Sequence, residues 1–379
     1  MSVPAEPSLR SVLAARPDHF WCSPGSLVAG WGTAAVFDPG TGPRRYTRAG
    51  RFLRDWSQAN GQASTPALAS FTFDPDVAGS IVIVAQQTAM RREGQWSVYS
   101  ANGAAQAPPT PQWDAPGGDD EAVFIRRVQD ALSAISSGSL SKVVMARSVE
   151  VRFADPLDRH AVLASLTSRY PQGHTFLLEG LMGSSPELLV ERRASQVRSV
   201  ALAGSVAIEA GGERLTASAK EAEEHRLTAD WVESKLRAVA PGITRSAVEV
   251  VEFGPALHLA TAFVGDLVSP VEVMDLVAAL HPTPAVAGVP ADEAMALIRQ
   301  AEGAMRGRYG GPIGWFDPAG DGEWAIALRC AYLNGAHARL LAGAGVVAGS
   351  DPEAELAETT YKLETMQMAL AGTGVAPLS

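Results

Sequence analysis

Leu341-Ala342-Gly343-Ala344-Gly345-Val346-Val347 leads through Ser350-Asp351-Pro352 into Glu353-Ala354-Glu355-Leu356-Ala357-Glu358-Thr359-Thr360-Tyr361-Lys362. An apolar strand broken by two glycines is followed at once by a helix with its own start signal. Asp351 can cap that helix, and Pro352 suits its first turn, where no backbone donor is needed. Glu355, Glu358 and Lys362 fall at i, i+3 and i+7, which puts them on one helical face. Two carboxylates one turn apart can hold a hard divalent cation, and a lysine one turn further on can hold an anion beside it. A solvated surface face has the same spacing. The glycines favour a site, because glycine inside a strand often marks where a ligand approaches the backbone.

The whole chain sets the bounds for that reading. Its 379 residues, 46% hydrophobic and 19% charged, supply a large core. A formal charge of −10 argues against a nucleic-acid surface, but admits a small anionic substrate if a metal or local Arg and Lys supply positive charge. Cys22 and Cys330 are the only cysteines, so neither a disulfide framework nor a cysteine metal site is expected. The first residues lack a basic start followed by an apolar run, and no apolar stretch is long enough to span a bilayer. The expectation is a soluble cytoplasmic protein with no nucleic-acid or membrane partner.

Short apolar runs at 27–32, 34–37, 80–85 and 95–99 read as strands. Residues 101–118 are rich in Pro and Gly, and the boundary is placed there, giving parts 1–118 and 119–379. Asp119-Asp120 open a helix with Phe124, Val128, Leu132 and Ile135 on one face. Runs 175–178 and 187–191 read as a hairpin around 180–186, and 197–203 alternates up to Gly204-Ser205. A long helix is predicted over 217–239; after the runs 248–253 and 256–261 comes a helix running into His281, and then one strand over 324–332. Strands in consecutive pairs, with helices between groups of them, indicate α+β with large antiparallel sheets.

Within this frame five residues stand out. Lys142 opens the apolar run 142–147, where lysine is rarely placed without a reason. With Val144 and Ala146 on its face it would be poorly solvated, which favours the neutral amine that a lysine base requires; a strand-end lysine reaching to water is the alternative. Glu187 follows Gly183-Ser184-Ser185-Pro186, read as a turn presenting a carboxyl that can act as general acid, or a solvated glutamate. Arg329 falls mid-strand with Ala325, Ala327 and Ala331 on its face, room for a guanidinium to receive a carboxylate or to make a structural ion pair. His258 sits between Leu257 and Leu259, where a hydrogen-bonded core histidine is the simpler reading. Glu224, in the acidic run 221–225, reads alone as solvated. No P-loop and no GxGxxG between strand and helix is present.

Taken in order, these segments resemble the chorismate-utilising enzymes: anthranilate synthase component I, aminodeoxychorismate synthase, salicylate synthase and isochorismate synthase. The resemblance is carried by Lys142 to Arg147, Gly183-Ser184-Ser185-Pro186-Glu187, Gly204-Ser205, Lys220 to His225, Leu257-His258-Leu259, His281-Pro282-Thr283-Pro284-Ala285, Tyr309-Gly310-Gly311, the run ending in Arg329-Cys330-Ala331, and the closing strand and helix. It covers nearly everything from residue 120 onward and the first hundred residues only loosely. It implies a single large anthranilate synthase component I-like fold, two large mostly antiparallel sheets packed together and flanked by helices, with Mg²⁺ and chorismate. Lys142 points to a member that uses water rather than ammonia, so no glutaminase subunit is implied. The string at 281–285 is like that of isochorismate synthases, with Ala285 where salicylate synthases carry threonine. The resemblance implies Lys142 as base and Glu187 as acid, with Glu224, Glu355 and Glu358 at the metal. Gly204, Ser205, His258, Ala285, Tyr309, Arg329, Gly343, Gly345 and Lys362 are implied around the substrate. A salicylate synthase, or a silent chorismate-binding subunit, is the alternative, and a lone large domain makes a monomer the default. Siderophore and menaquinone routes are both open as the destination of isochorismate.

Overall fold

Every strand pairing among the described residues is antiparallel, and twenty strands build two ten-stranded sheets. This computed structural model describes residues 3–4, 7–101 and 118–377. Residues 102–117 of the Pro/Gly-rich connection lie outside the described residues. The first sheet is ordered Gly288–Val289, Lys142–Arg152, His337–Val347, Cys330–Asn334, Leu181–Ser185, His174–Leu178, His19–Cys22, Ser26–Trp31, Gln87–Arg92, Gln95–Ser100. The second runs from Thr244–Arg245 through Ala256–Asp266, Gln196–Ala207, Leu188–Arg193, Gly322–Ile326 and Pro312–Phe316 to Ala67–Ser70, Ile81–Val84 and Ala35–Phe37, with Glu249–Phe253 as the tenth strand, paired to Ala256–Asp266 beside Thr244–Arg245. Strands from before residue 101 therefore stand in both sheets.

The main apolar cluster draws on both, with Trp21 and Val28 from the first sheet against Leu68, Trp315 and Trp324 from the second. Helices Glu121–Ser136 and Pro352–Ala371 pack on the first sheet, and Ala219–Arg237 on the second. The start signals act as read. Asp120 accepts from the Ala122 amide, and Asp351 accepts from the Ala354 amide with Pro352 in the first turn.

Two connections cross between the sheets side by side, and here two expectations are corrected. The partner of His174–Leu178 is Leu181–Ser185, so Gly183-Ser184-Ser185 is strand rather than turn, and Leu188–Arg193 belongs to the other sheet. Pro186-Glu187 is the crossing. Likewise 324–332 is not one strand: Gly322–Ile326 lies in the second sheet and Cys330–Asn334 in the first. Arg329 sits in the crossing with φ +49°, a left-handed conformation that side chains other than glycine seldom adopt. The crossings are tied to each other, Ser184 N donating to Arg329 O at 3.3 Å and Ile326 N to Glu187 O at 3.2 Å.

Two further differences are smaller. The helix expected over 217–239 is Ala219–Arg237, with Gly212–Ala217 a separate short helix before it. Helix Arg45–Asn60 had no expectation at all. Its buried stripe is narrow, Tyr46, Ala49 and Leu53, among several arginines and with Gly50 in its interior.

Candidate active site

Where the crossings meet helices Ala219–Arg237 and Pro352–Ala371, a largely enclosed, mostly polar pocket opens. It is lined by Glu187, Gly204, Ser205, Glu224, His258, Ala285, Tyr309, Arg329, Gly343, Gly345 and Lys362. Lys142 and Glu358 are not among the lining residues but pair with two that are, Glu224 and Lys362, while Glu355 pairs with Lys220.

On the crossing side, ionisable groups are buried without an opposite partner among the described residues. Glu187 is 2% exposed, and burial pushes its carboxyl up to about 8 against the pull of Lys142, Arg329 and Lys362. It therefore keeps its proton at neutral pH. Arg329 is also buried, and its Nη2 donates to His258 Nε2 at 3.1 Å. A guanidinium only donates, so that imidazole nitrogen accepts and His258 is neutral. Burial, then Arg329 and Lys362, hold it well below the ordinary histidine range. Arg329 Nε is buried with no hydrogen-bond partner, a donor left over for a ligand's acceptor. Among the described residues no ion pair reaches Glu187 or Arg329. Tyr309, from the turn before Pro312–Phe316, is buried in the same wall with its phenol pushed up by burial.

On the helix side, every buried carboxylate is shared with a lysine or a hydrogen-bond donor. Lys142 is fully buried, as its strand position implied, but the apolar surroundings expected for it are corrected. Its Nζ lies 3.0 Å from Glu224 Oε1 and 3.3 Å from Thr228 Oγ1. Burial raises Glu224, but Lys142, Lys220 and Lys362 outweigh it and the carboxyl is lowered. Gly345 makes this pairing possible, since a Cβ there would stand 2.1 Å from Glu224 Oε1. Gly204 has φ +77° at a shift of register between Ala203 and Ser205. There the Ser205 amide donates to Glu221 Oε2 at 2.9 Å. The Ser205 amide is thus satisfied from within the protein, because a buried amide takes the nearest carboxylate. Ser205 Oγ donates to Glu358 Oε1 at 3.1 Å, and Lys362 pairs with the same carboxylate while donating to Gly343 O at 3.1 Å. The Gly343 carbonyl is thus engaged from within the protein.

Four residues of the site were missed. Glu221 stands one turn before Glu224, the same spacing as Glu355 and Glu358, and burial followed by Glu224 pushes it up. Lys220 pairs with Glu355 at 2.7 Å. Their signal was present, because Arg226 pairs with Glu223 on the outer face and leaves Glu221 and Glu224 to point inward. Arg306, 3% exposed, pairs with Glu302 and donates to the carbonyls of Val144 and Val286, fastening the segment that carries Ala285 to the strand of Lys142. Tyr361 brings its hydroxyl to 3.4 Å from Ser205 Oγ.

The donor set can be tested for a divalent cation. Among the described residues no three His, Cys, Asp or Glu side chains already converge on one point. The chemistry nevertheless suits a hard cation: Glu221, Glu224, Glu355 and Glu358 bring four buried carboxylates from two helices. Burial and then Glu358 push Glu355 up to about 7, and its Oε2 is buried with no hydrogen-bond partner. Added positive charge there would relieve both.

The chorismate binding enzyme family profile matches residues 83–371, a span that begins before the boundary placed at 118. Isochorismate synthase DhbC of Bacillus subtilis is 39% identical over 263 residues, 64% of this chain and 66% of that protein. Isochorismate synthase EntC of Escherichia coli K12 is 34% identical over 260 residues, 65% of this chain and 66% of that one. The alignments thus leave about a third of each relative's length unmatched. Among solved structures, the menaquinone-specific isochorismate synthase MenF of Escherichia coli superposes with a TM-score of 0.79 at 26% identity, covering 97% of this chain and 92% of that one.

Proposed function

This chain belongs to the chorismate-binding enzymes, and from that premise we propose that it is an isochorismate synthase, an isomerase that moves the hydroxyl of chorismate from C4 to C2. The observation that carries the reading is Glu187, a buried carboxyl pushed up to about 8 in a cavity shared with cationic Arg329 and Lys362. A carboxyl that keeps its proton at neutral pH can donate it, and the cations can hold a substrate with two carboxylates.

In the proposed reaction Lys142 takes a proton from the water adding at ring C2. Glu187 gives its proton to the C4 hydroxyl as that group leaves, and the ring double bonds shift. One water enters and one departs. Arg329, with its unpartnered Nε, holds a substrate carboxylate, Tyr309 and Ala285 shape the wall beside it, and Lys362 adds charge at the other anionic end. His258, neutral and fixed by Arg329, lies near the acid. The Glu224 carboxylate, 3.0 Å from Lys142 Nζ, holds the amine in place. Mg²⁺ would be held by Glu224, Glu355 and Glu358, with Glu221 beside them. When bound it supplies positive charge for the ring carboxylate.

No described helix is long and apolar enough to cross a membrane. The proposed working form is a cytoplasmic monomer with no glutaminase subunit. The test is chromatography of the products from chorismate and Mg²⁺. Isochorismate as the main product is expected; salicylate with pyruvate, or unchanged chorismate, would overturn the assignment.

A further inference from the structure

Helix Arg45–Asn60 belongs to the part of the chain that the family resemblance covers only loosely, yet it reaches the frame of the cavity. Arg45 Nη2 donates to Tyr46 Oη at 2.8 Å, Tyr46 Oη lies 3.1 Å from His281 Nδ1, and His281 Nε2 lies 3.0 Å from the Gly310 carbonyl. The ends fix the direction of the whole relay. A guanidinium only donates and a carbonyl only accepts, so the Tyr46 hydroxyl must donate to Nδ1 and His281 must carry its proton on Nε2. Arg45 is itself anchored on Thr72 Oγ1 and the Asp74 carbonyl. Arg45, Tyr46 and His281 are all buried, and the His281 ring stands perpendicular to that of Phe73. Burial, followed by Arg45, holds the imidazole down to about 3, so it stays neutral across any working pH.

His281 opens the segment that carries Ala285, and Gly310 follows Tyr309. One imidazole thus spans two walls of the cavity, and its orientation is set from a helix that contributes no lining residue.

We propose that Tyr46 is a positioning residue: through His281 it fixes the distance between the Ala285 and Tyr309 walls, and so how tightly a ring-shaped substrate is held. The proposal rests on reading the cavity as the chorismate site. It gives the N-terminal part a role in binding, beyond completing the two sheets.

The test is Tyr46→Phe, which keeps the ring and removes the donor. KM for chorismate should rise about fivefold, the scale of one neutral hydrogen bond, with kcat within about twofold. Leu53→Ala on the same helix is the control for stability alone. It should lower Tm more than Tyr46→Phe does and leave KM unchanged. His281→Asn should raise KM by itself, and Tyr46→Phe on top of it should add nothing. Nitrogen-15 NMR of labelled histidines in the ligand-free chain should show His281 as a single Nε2–H tautomer, assigned by its loss in His281→Asn and turning mixed in Tyr46→Phe. An unchanged KM in Tyr46→Phe, an equal KM rise in Leu53→Ala, or the opposite tautomer in the wild type would each overturn the proposal. A wild-type chain that does not bind chorismate would defeat the functional reading, while the tautomer, read without ligand, still decides the relay.

Discussion

The two walls of the cavity bury charge in opposite ways. On the helix side, Glu224, Glu355 and Glu358 are each shared with a lysine, so the ions there largely satisfy one another. On the crossing side, Glu187 and Arg329 are buried, and among the described residues no opposite charge is paired to either. The first arrangement holds ions in place. The second leaves a proton and a guanidinium unspent, which is what a reaction needs from groups that must act on a ligand. The difference assigns gripping to one wall and proton delivery to the other, with Lys142 standing where they meet.

Removing Lys142 should break the comparison most severely. Lys142→Ala deletes the proposed base and strands Glu224 in the interior, so isochorismate formation should fall by about a thousandfold or more and Tm should drop. Adding Glu224→Gln should restore much of the Tm and none of the rate, which separates the chemical role from the structural one. Glu187→Gln comes next, with a loss of about a hundredfold in kcat and little change in KM. The pH dependence has a definite sign. The folded value of about 8 lies above the ordinary 4.5, so the folded chain holds this proton more tightly. The stability it contributes is fully present below about pH 4.5 and is lost as pH rises through about 8; the activity that needs the proton falls over the upper end of that window. Both dependences should flatten in Glu187→Gln.

The helix wall is tested by its cation. Mg²⁺ at about a hundred times its dissociation constant should stabilise the chain by about 2.7 kcal/mol. A thermal shift that vanishes in Glu355→Gln would confirm the assignment, and a shift that survives there would move the cation elsewhere. The smallest effect is expected from Gly345→Ala, whose Cβ would press on Glu224 Oε1. Rotating that carboxylate away from Lys142 should cost about tenfold in rate, the scale of one charge-assisted hydrogen bond. A larger loss in Gly345→Ala than in Glu187→Gln would mean that the division between the walls is drawn wrongly.

What could be read from the sequence follows the same division. The helix wall is built from local pattern, a cap, a proline and carboxylates at helical spacing, and each feature is written within one turn of chain. The burial of Lys142 was legible from its apolar strand; its partner was not, because Glu224 lies on a distant helix that reads alone as solvated. The crossing wall was misread. Apolar alternation runs on through residues 324–332 while the backbone changes sheets, and an arginine at φ +49° leaves no trace in the pattern. Gly183-Ser184-Ser185-Pro186 has the composition of a turn, but Gly183-Ser184-Ser185 pairs as a strand, its direction set by partners on both sides of Leu181–Gly183. Tyr46 could not be singled out, since its importance comes from a histidine far along the chain.

The central claim is that water adds at C2 while the C4 hydroxyl leaves, and isotope transfer tests it most directly. Chorismate turned over with Mg²⁺ in water enriched in oxygen-18 should give isochorismate with one heavy oxygen, placed by mass spectrometry on C2. Isochorismate carrying only the original oxygens would contradict the account.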